Sequence, residues 1–308
     1  MKKLLLLLFV GLAVVSCKKD DDASLSLDMP TSVDASSSFS LKVELTWGDV
    51  SNAEGYNIYR ADDIFEDPEG LDYELIGTTD TNSYDDLSVE SSSAYYYQIE
   101  AFSGSTTSDL SAPVAASTTT ITADEAFDVL AEYTGGRRYD AASANDVPNI
   151  IIDVINEQAV AGTDLVFLID NTGSMSDDIA QVKAALTDII SNLPPNNRLA
   201  MAVYNDANED PDGWYEWFDL TEDYSQAQMF LDDISVYGGG DFPESVYDGI
   251  YNTVDFLSWG SDTKRMMLVI GDAPPLEGSL TVRTLSEVVD ICNDMDVVAN
   301  LYPILIND

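Results

Sequence analysis

The stretch that most limits what this chain can be is residues 164–178, Asp-Leu-Val-Phe-Leu-Ile-Asp-Asn-Thr-Gly-Ser-Met-Ser-Asp-Asp. Leu165 to Ile169 is an unbroken apolar run, which suits a central strand of a parallel sheet buried on both faces. It ends at Asp170, and Thr172 and Ser174 follow at alternate positions. Alternate residues of a nearly extended segment point the same way, so one carboxylate and two hydroxyls converge at the carboxyl end of a strand. Ligands of open α/β sheets bind there. Gly173 lets the backbone fold closely around a bound group. All-oxygen ligation suits a hard divalent cation: Mg²⁺ first, with Mn²⁺ or Ca²⁺ as alternatives. The same pattern also fits a strand followed by a Ser/Thr/Asp helix cap.

Strands and helices alternate from Thr163 onward, which predicts an α/β domain over 164–308. Ile179 to Leu193 carries one apolar helical stripe, and Leu199 to Tyr204 reads as the second strand. Trp214 to Leu220 reads as an antiparallel edge strand. Further helices are expected at 225–234, 244–257 and 281–295, with strands at 266–270 and 298–306. Two stretches bear on the cation. Gly240-Asp241-Phe242-Pro243-Glu244 is a glycine loop that opens a helix with two carboxylates, and Asp272 ends a buried strand as Asp170 does.

Asp170-x-Thr172-x-Ser174 resembles the metal-ion-dependent adhesion motif of von Willebrand factor A domains. Asp241-Phe242-Pro243-Glu244-x-x-Tyr247-Asp248-x-Ile250 resembles the matching loop and helix of the integrin β-subunit I-like domain. The resemblance implies a doubly wound, Rossmann-like domain with a main metal site at Asp170, Thr172, Ser174, Glu244 and Asp272. It also implies adjacent ion sites, one using Asp177 and Asp178 and another using Asp241. Acids in a first helical turn favour the helix dipole without any metal, so the Asp177–Asp178 pair keeps both readings. A domain of this family would continue past Asp308 with a last strand and helix.

Residues 25–119 read as an all-β domain of short alternating segments separated by Ser, Asp, Asn and Gly turns. The order of Leu45-Thr46-Trp47, Gly55 to Arg60, and Tyr95, Tyr97, Ile99 and Ala101 resembles a fibronectin type III sandwich. That resemblance makes Trp47 the core tryptophan and Tyr95 or Tyr97 the tyrosine corner. Residues 120–163 read as a linker with short helices.

Lys2, Lys3 and the apolar run Leu4 to Val15 make 1–16 a signal peptide, too short to span a bilayer as a helix. Val14-Val15-Ser16-Cys17 resembles a bacterial lipobox, which implies a diacylglycerol on Cys17. The charged tether 17–24, with Lys18-Lys19-Asp20-Asp21-Asp22, resembles the export signals of Bacteroidota surface lipoproteins. The expectation is an outer-membrane lipoprotein exposed on the cell surface, touching the membrane through its lipid alone. Cys292 is the only other cysteine and lies on an apolar helical stripe, so a buried thiol is expected.

The chain has no histidine, which removes histidine triads and general bases. A net charge of −43 repels nucleic acid and attracts divalent cations. The expected function is binding, not catalysis: a protein or polysaccharide partner supplies a carboxylate to the held cation. Two alternatives stay open, a metal-dependent phosphatase and a metal-free scaffold. A phosphatase of the strand-then-Asp type needs a second acid two residues on, where this chain has Thr172. The loop Asn208-x-Asp210-x-Asp212 with Asp219 partly fits a calcium loop but reads better as a solvated turn, and Trp214 and Trp217 read as edge-strand packing.

Overall fold

The structure is a computed structural model and describes residues 26–62, 68–193, 196–240 and 243–307. Cys17, Asp241, the leader 1–16 and the tether 17–24 lie outside the described residues.

The first domain is built from short strands: β1 (Asp34–Ala35), β2 (Val43–Thr46), β3 (Gly55–Ala61), β4 (Glu74–Thr79), β5 (Ser83–Asp86), β6 (Ala94–Ser103), β7 (Thr106–Thr107) and β8 (Val114–Ser117). They form two antiparallel sheets, β1-β2-β5 and β4-β3-β6 with β7 and β8 both paired to β6. β6 alternates buried and half-buried residues along its length, as a strand with one face on a core must. Val43 and Leu45 from one sheet meet Ile58, Tyr97 and Ile99 from the other around Trp47, so the domain is a β-sandwich. The Tyr95 hydroxyl accepts the Glu90 N–H at 2.7 Å, which makes Tyr95 the corner tyrosine. Tyr97 instead donates to the buried Asp86.

The second domain opens earlier than the sequence suggests. Residues 120–163, read above as a linker, form α1 (Ala123–Tyr133), β9 (Tyr139–Ala141) and α2 (Val147–Gln158), all built into the α/β unit. Next come β10 (Asp164–Asp170), α3 (Ile179–Asn192), β11 (Arg198–Tyr204), β12 (Tyr215–Thr221), α4 (Tyr224–Asp233), α5 (Val246–Phe256), β13 (Arg265–Gly271), α6 (Leu285–Asn293) and β14 (Ala299–Ile306). The sheet order is β12-β11-β10-β13-β14-β9, all parallel except the edge strand β12. The edge beside β14 is taken by β9 from the amino-terminal side. Gly136 permits this approach, since a Cβ there would lie 1.6 Å from the Leu301 carbonyl oxygen.

Every residue of β10 is buried. Phe127 and Leu130 of α1 join the core on one face of the sheet, and Ile151 and Val154 of α2 the core on the other. Each such side chain is worth about 1.5–3 kcal/mol when fully buried.

The sandwich docks on α1. Leu41 is buried in the α/β core, and Lys42 is buried between Phe39 and Tyr133 with Glu44 and Glu132 as ion partners. Glu125 of α1 accepts the Ser40 N–H, and Tyr133 donates to Asp85.

Candidate functional site

The register of the sheet assembles the site. β10 runs between β11 and β13, with Asp170 opposite Tyr204 and Ile169 opposite Ile270. Asp272 therefore leaves its strand two residues beyond the level of Ile169, beside the Asp170 terminus. Asp170 is fully buried, and its Oδ1 accepts the Thr172 N–H at 2.8 Å, the turn that ends the strand. The Thr172 and Ser174 hydroxyls lie 3.0 Å apart, and Ser174 donates to Asp272 Oδ1 at 3.1 Å. The spacing of alternate residues thus puts carboxylate, hydroxyl and hydroxyl in one place, with Asp272 closing the row.

Glu244 reaches the same place from the other side. It lies before α5, in a segment held by its N–H to the Pro274 carbonyl (2.9 Å) and by the Leu276 N–H to its own carbonyl (2.7 Å). The helix consequently starts at Val246, because the Glu244 backbone pairs with Pro275 in a parallel bridge. The Glu244 carboxylate and Thr172 both crowd Gly239, where a Cβ would meet Thr172 Cβ at 2.6 Å and Glu244 Oε1 at 2.7 Å. Gly238 and Gly239 have φ of +58° and +61°, a conformation open to glycine at little cost. This loop is laced to the strand end by Gly173 N–H to Gly238 O and Tyr237 N–H to Asn171 O.

The electrostatics are one-sided. Burial and then the charge of Asp272 push the Asp170 carboxyl up to about 7, against the hydrogen bonds from Thr172. The buried Tyr204 phenol is pushed up by burial and by Asp170, Asp272 and Glu244. Tyr204 lies close enough to ease Asp170 slightly, yet neither its hydroxyl nor Asp170 Oδ2 has a partner at hydrogen-bond geometry. A buried carboxylate oxygen without a donor is costly, and a cation bound there would remove that cost. Among the described residues no three His, Cys, Asp or Glu side chains are placed to hold a metal by themselves. Asp170, Asp272 and Glu244 all act on the buried Tyr204, with the Thr172 and Ser174 hydroxyls beside them, but the three carboxylates do not converge on one point. The all-oxygen chemistry of this set and the orphaned Oδ2 of Asp170 fit a hard cation.

Asp177 is exposed and Asp178 is buried at the start of α3, so the two carboxylates meet different surroundings. Asp210 Oδ2 accepts the Gly239 N–H at 3.0 Å, and Asp206 accepts the N–H groups of Asn208 and Glu209. The 206–212 loop therefore folds over the glycine loop. Asp219 is not part of it: its Oδ1 accepts the Ser258 N–H at 2.8 Å. Sequence reasoning missed Tyr204 and Asn205, and read Asp210 as part of a solvated turn. Asn205 bonds Tyr237 O and Asn171 O, tying the glycine loop to the strand end. A polar pair ending an apolar strand, Tyr204-Asn205 after Leu199 to Val203, was the available signal.

Residues 164–293 match the family model described as von Willebrand factor A domain. The match begins at β10, so it leaves out α1, β9 and α2, and it ends before β14. No curated protein matches the chain. Solved structures similar to the first domain include one titled "Structure of FN3tt mut", 23% identical, covering 31% of this chain and 97% of that chain with a TM-score of 0.24. A Fn3-like protein from Clostridium thermocellum is 25% identical over 30% of this chain and 94% of its own, with a TM-score of 0.25. The fibronectin type-III domain of human fibronectin type III domain containing protein 3 is 17% identical over 33% and 95%, with a TM-score of 0.28. Residues 164–293 thus match a von Willebrand factor A domain, and they follow a β-sandwich of two antiparallel sheets.

Proposed function

We propose that the chain is a surface-tethered binding protein whose α/β domain holds a divalent cation, Mg²⁺ first, and uses it to recognise a carboxylate on a protein or polysaccharide partner. The residues that would hold it are Asp170, Thr172, Ser174, Glu244 and Asp272, with Asp177, Asp178 and Asp241 as candidates for neighbouring ions. The observation that carries the reading is Asp170 Oδ2, buried beside Asp272 with no donor at hydrogen-bond geometry, the Tyr204 hydroxyl being near but not aligned. When bound, the cation supplies net positive charge and a position open to an oxygen ligand, for which a carboxylate is the matching group.

The chain's own residues do the rest. Thr172 N–H holds the Asp170 carboxylate through Oδ1, leaving Oδ2 buried and without a partner at hydrogen-bond geometry. Ser174 orients Asp272, and the Thr172 and Ser174 hydroxyls supply neutral oxygens that leave charge on whatever they bind. Thr172 also stands where a strand-end phosphatase needs a general acid, which favours a binder over that hydrolase. The tether in this proposal is a lipid on Cys17. Among the described residues no helix is long and apolar enough to cross a membrane.

The test is calorimetric titration of the whole chain with MgCl₂, MnCl₂ and CaCl₂, followed by partner capture in Mg²⁺ and in chelator. The expected result is one saturable site that Asp170→Ala removes while the circular dichroism spectrum is retained. Equal binding by both proteins, or capture that ignores chelator, would overturn the proposal.

A further inference from the structure

Away from the cation site, α5 and α6 enclose a groove of about 580 Å³. Its floor is apolar and aromatic, including Tyr251, Trp259 and Ile291, and it belongs to the edge of the α/β core. Four carboxylates stand around that floor: Asp255, Glu287, Asp290 and Asp294. Arg283 covers its Tyr251 end and pairs with Glu287, which leaves Asp255, Asp290 and Asp294 around the Trp259 and Ile291 end. Asp255 and Asp290 are exposed, and neither makes a hydrogen bond or ion pair among the described residues.

One cation of the chain already shows what such surroundings select. The Arg283 guanidinium carbon lies 3.6 Å from the Tyr251 ring centroid, and its Nη1 is 3.5 Å from Glu287 Oε1. That is a planar cation on an aromatic face with a carboxylate at its edge. The indole N–H of Trp259 is satisfied internally by the Val254 carbonyl at 2.9 Å, so the ring needs no polar partner from a ligand. An aliphatic stem can lie on this floor while its charged head meets the rim acids.

We infer that the α5–α6 groove is a docking site for an arginine-bearing segment of a basic partner protein. The occupant follows from charge complementarity: beyond the Arg283–Glu287 pair the rim carries Asp255, Asp290 and Asp294 beside the Trp259 ring, and the chain carries a net charge of −43. The inference does not depend on the cation site, and its test is run in chelator so that the two readings fail separately.

The probe is a short fluorescein-labelled oligoarginine peptide, titrated with the whole chain at physiological ionic strength and followed by anisotropy. Asp255→Asn combined with Asp290→Asn should weaken binding roughly fivefold, as loss of two half-screened ion pairs implies. The control Asp153→Asn combined with Glu157→Gln removes the same charge from exposed positions on α2, which packs on the other core, and should change binding less than about twofold. Trp259→Leu should reduce the preference for oligoarginine over oligolysine. Equal weakening by both double variants would show attraction to bulk charge alone and overturn the inference, as would an absence of binding by the wild type. Preference for spermine over the peptide, lost in the same groove variant, would overturn the peptide occupant in favour of a small polyamine.

Discussion

Replacing Asp170 by asparagine separates two effects that usually travel together. The amide oxygen can keep the 2.8 Å bond from Thr172 N–H, and the volume hardly changes. What disappears is a buried negative charge beside Asp272 whose Oδ2 has no donor at hydrogen-bond geometry, with the Tyr204 hydroxyl nearby. An unsatisfied buried polar atom costs about 1–3 kcal/mol, more when charged. In chelator, Asp170→Asn should therefore unfold no earlier than the wild type, and up to several degrees later, since a domain of this size moves about 2–4 °C per kcal/mol. With Mg²⁺ at about a hundredfold over its Kd, the wild type should gain about 2.7 kcal/mol, or roughly 5–10 °C. The variant should gain nothing measurable. The order of the two proteins reverses between the two buffers, which ordinary destabilisation cannot produce. Differential scanning calorimetry in both buffers reads it directly. If wild type and variant gain equally from the ion, or the wild type gains nothing from Mg²⁺, Mn²⁺ or Ca²⁺, Asp170 is not a metal ligand.

A fragment starting at residue 164, where the family match starts, should express insoluble or unfolded. It loses the burial of Phe127, Leu130, Ile151 and Val154, at about 1.5–3 kcal/mol each, against a typical net stability of about 5–15 kcal/mol, and size-exclusion chromatography against a fragment starting at 120 makes the comparison. The Cys292 thiol is pushed up to about 12 by burial, so at pH 8 it stays protonated in the folded chain. Maleimide should label it only after denaturant is added, and rapid native labelling of a Cys17→Ala chain would refute its burial. Cys17→Ala should move the protein from the membrane fraction to the soluble fraction; a variant that still sediments with outer membranes rules out the lipid anchor.

The central strand was legible because burial on both faces forces an unbroken apolar run, and Leu165 to Ile169 has no other comfortable use. The placement of Asp170, Thr172 and Ser174 was legible for a related reason, since alternation along the chain is local information. Tyr204 was not. Its place beside Asp170 depends on the β10–β11 register, which pairs residues 34 positions apart, and a tyrosine at a strand end has many ordinary uses. Asp210 was read as solvated because nothing local announces that its carboxylate caps Gly239. The start of α6 could have been placed better. Thr284 and Glu287 form a reciprocal capping box, a local signal that puts the helix at Leu285 and not at Thr281. The hidden strand β9 is the harder case. It has three residues, Tyr-Asp-Ala, after two arginines, and its partner β14 lies over 160 positions away. A strand that short is defined by the edge it covers and not by its own pattern.

That edge changes what the sandwich does. The path from β8 to β10 runs through α1, β9 and α2, and each is packed into the α/β domain, so no free linker separates the two halves. The sandwich lies on α1 through Leu41 and Lys42, and α1 lies against β14 and α6. A second contact reaches the site from the same side: Glu277 accepts the Ser91 N–H at 3.3 Å, five residues after Asp272 and one after Leu276, which pairs with Glu244. Burial in this junction, with Glu90 and Glu125 nearby, holds the Glu277 carboxyl above the usual range. The sandwich is thus bonded to the loop that carries one carboxylate of the site and braces another. Its direction relative to the site follows from side-chain packing and is not averaged over a flexible tether. A partner at the proposed site around Asp170 would meet a surface whose orientation is set by the sandwich, and a pull on the sandwich would be felt first at α1 and the 272–278 loop.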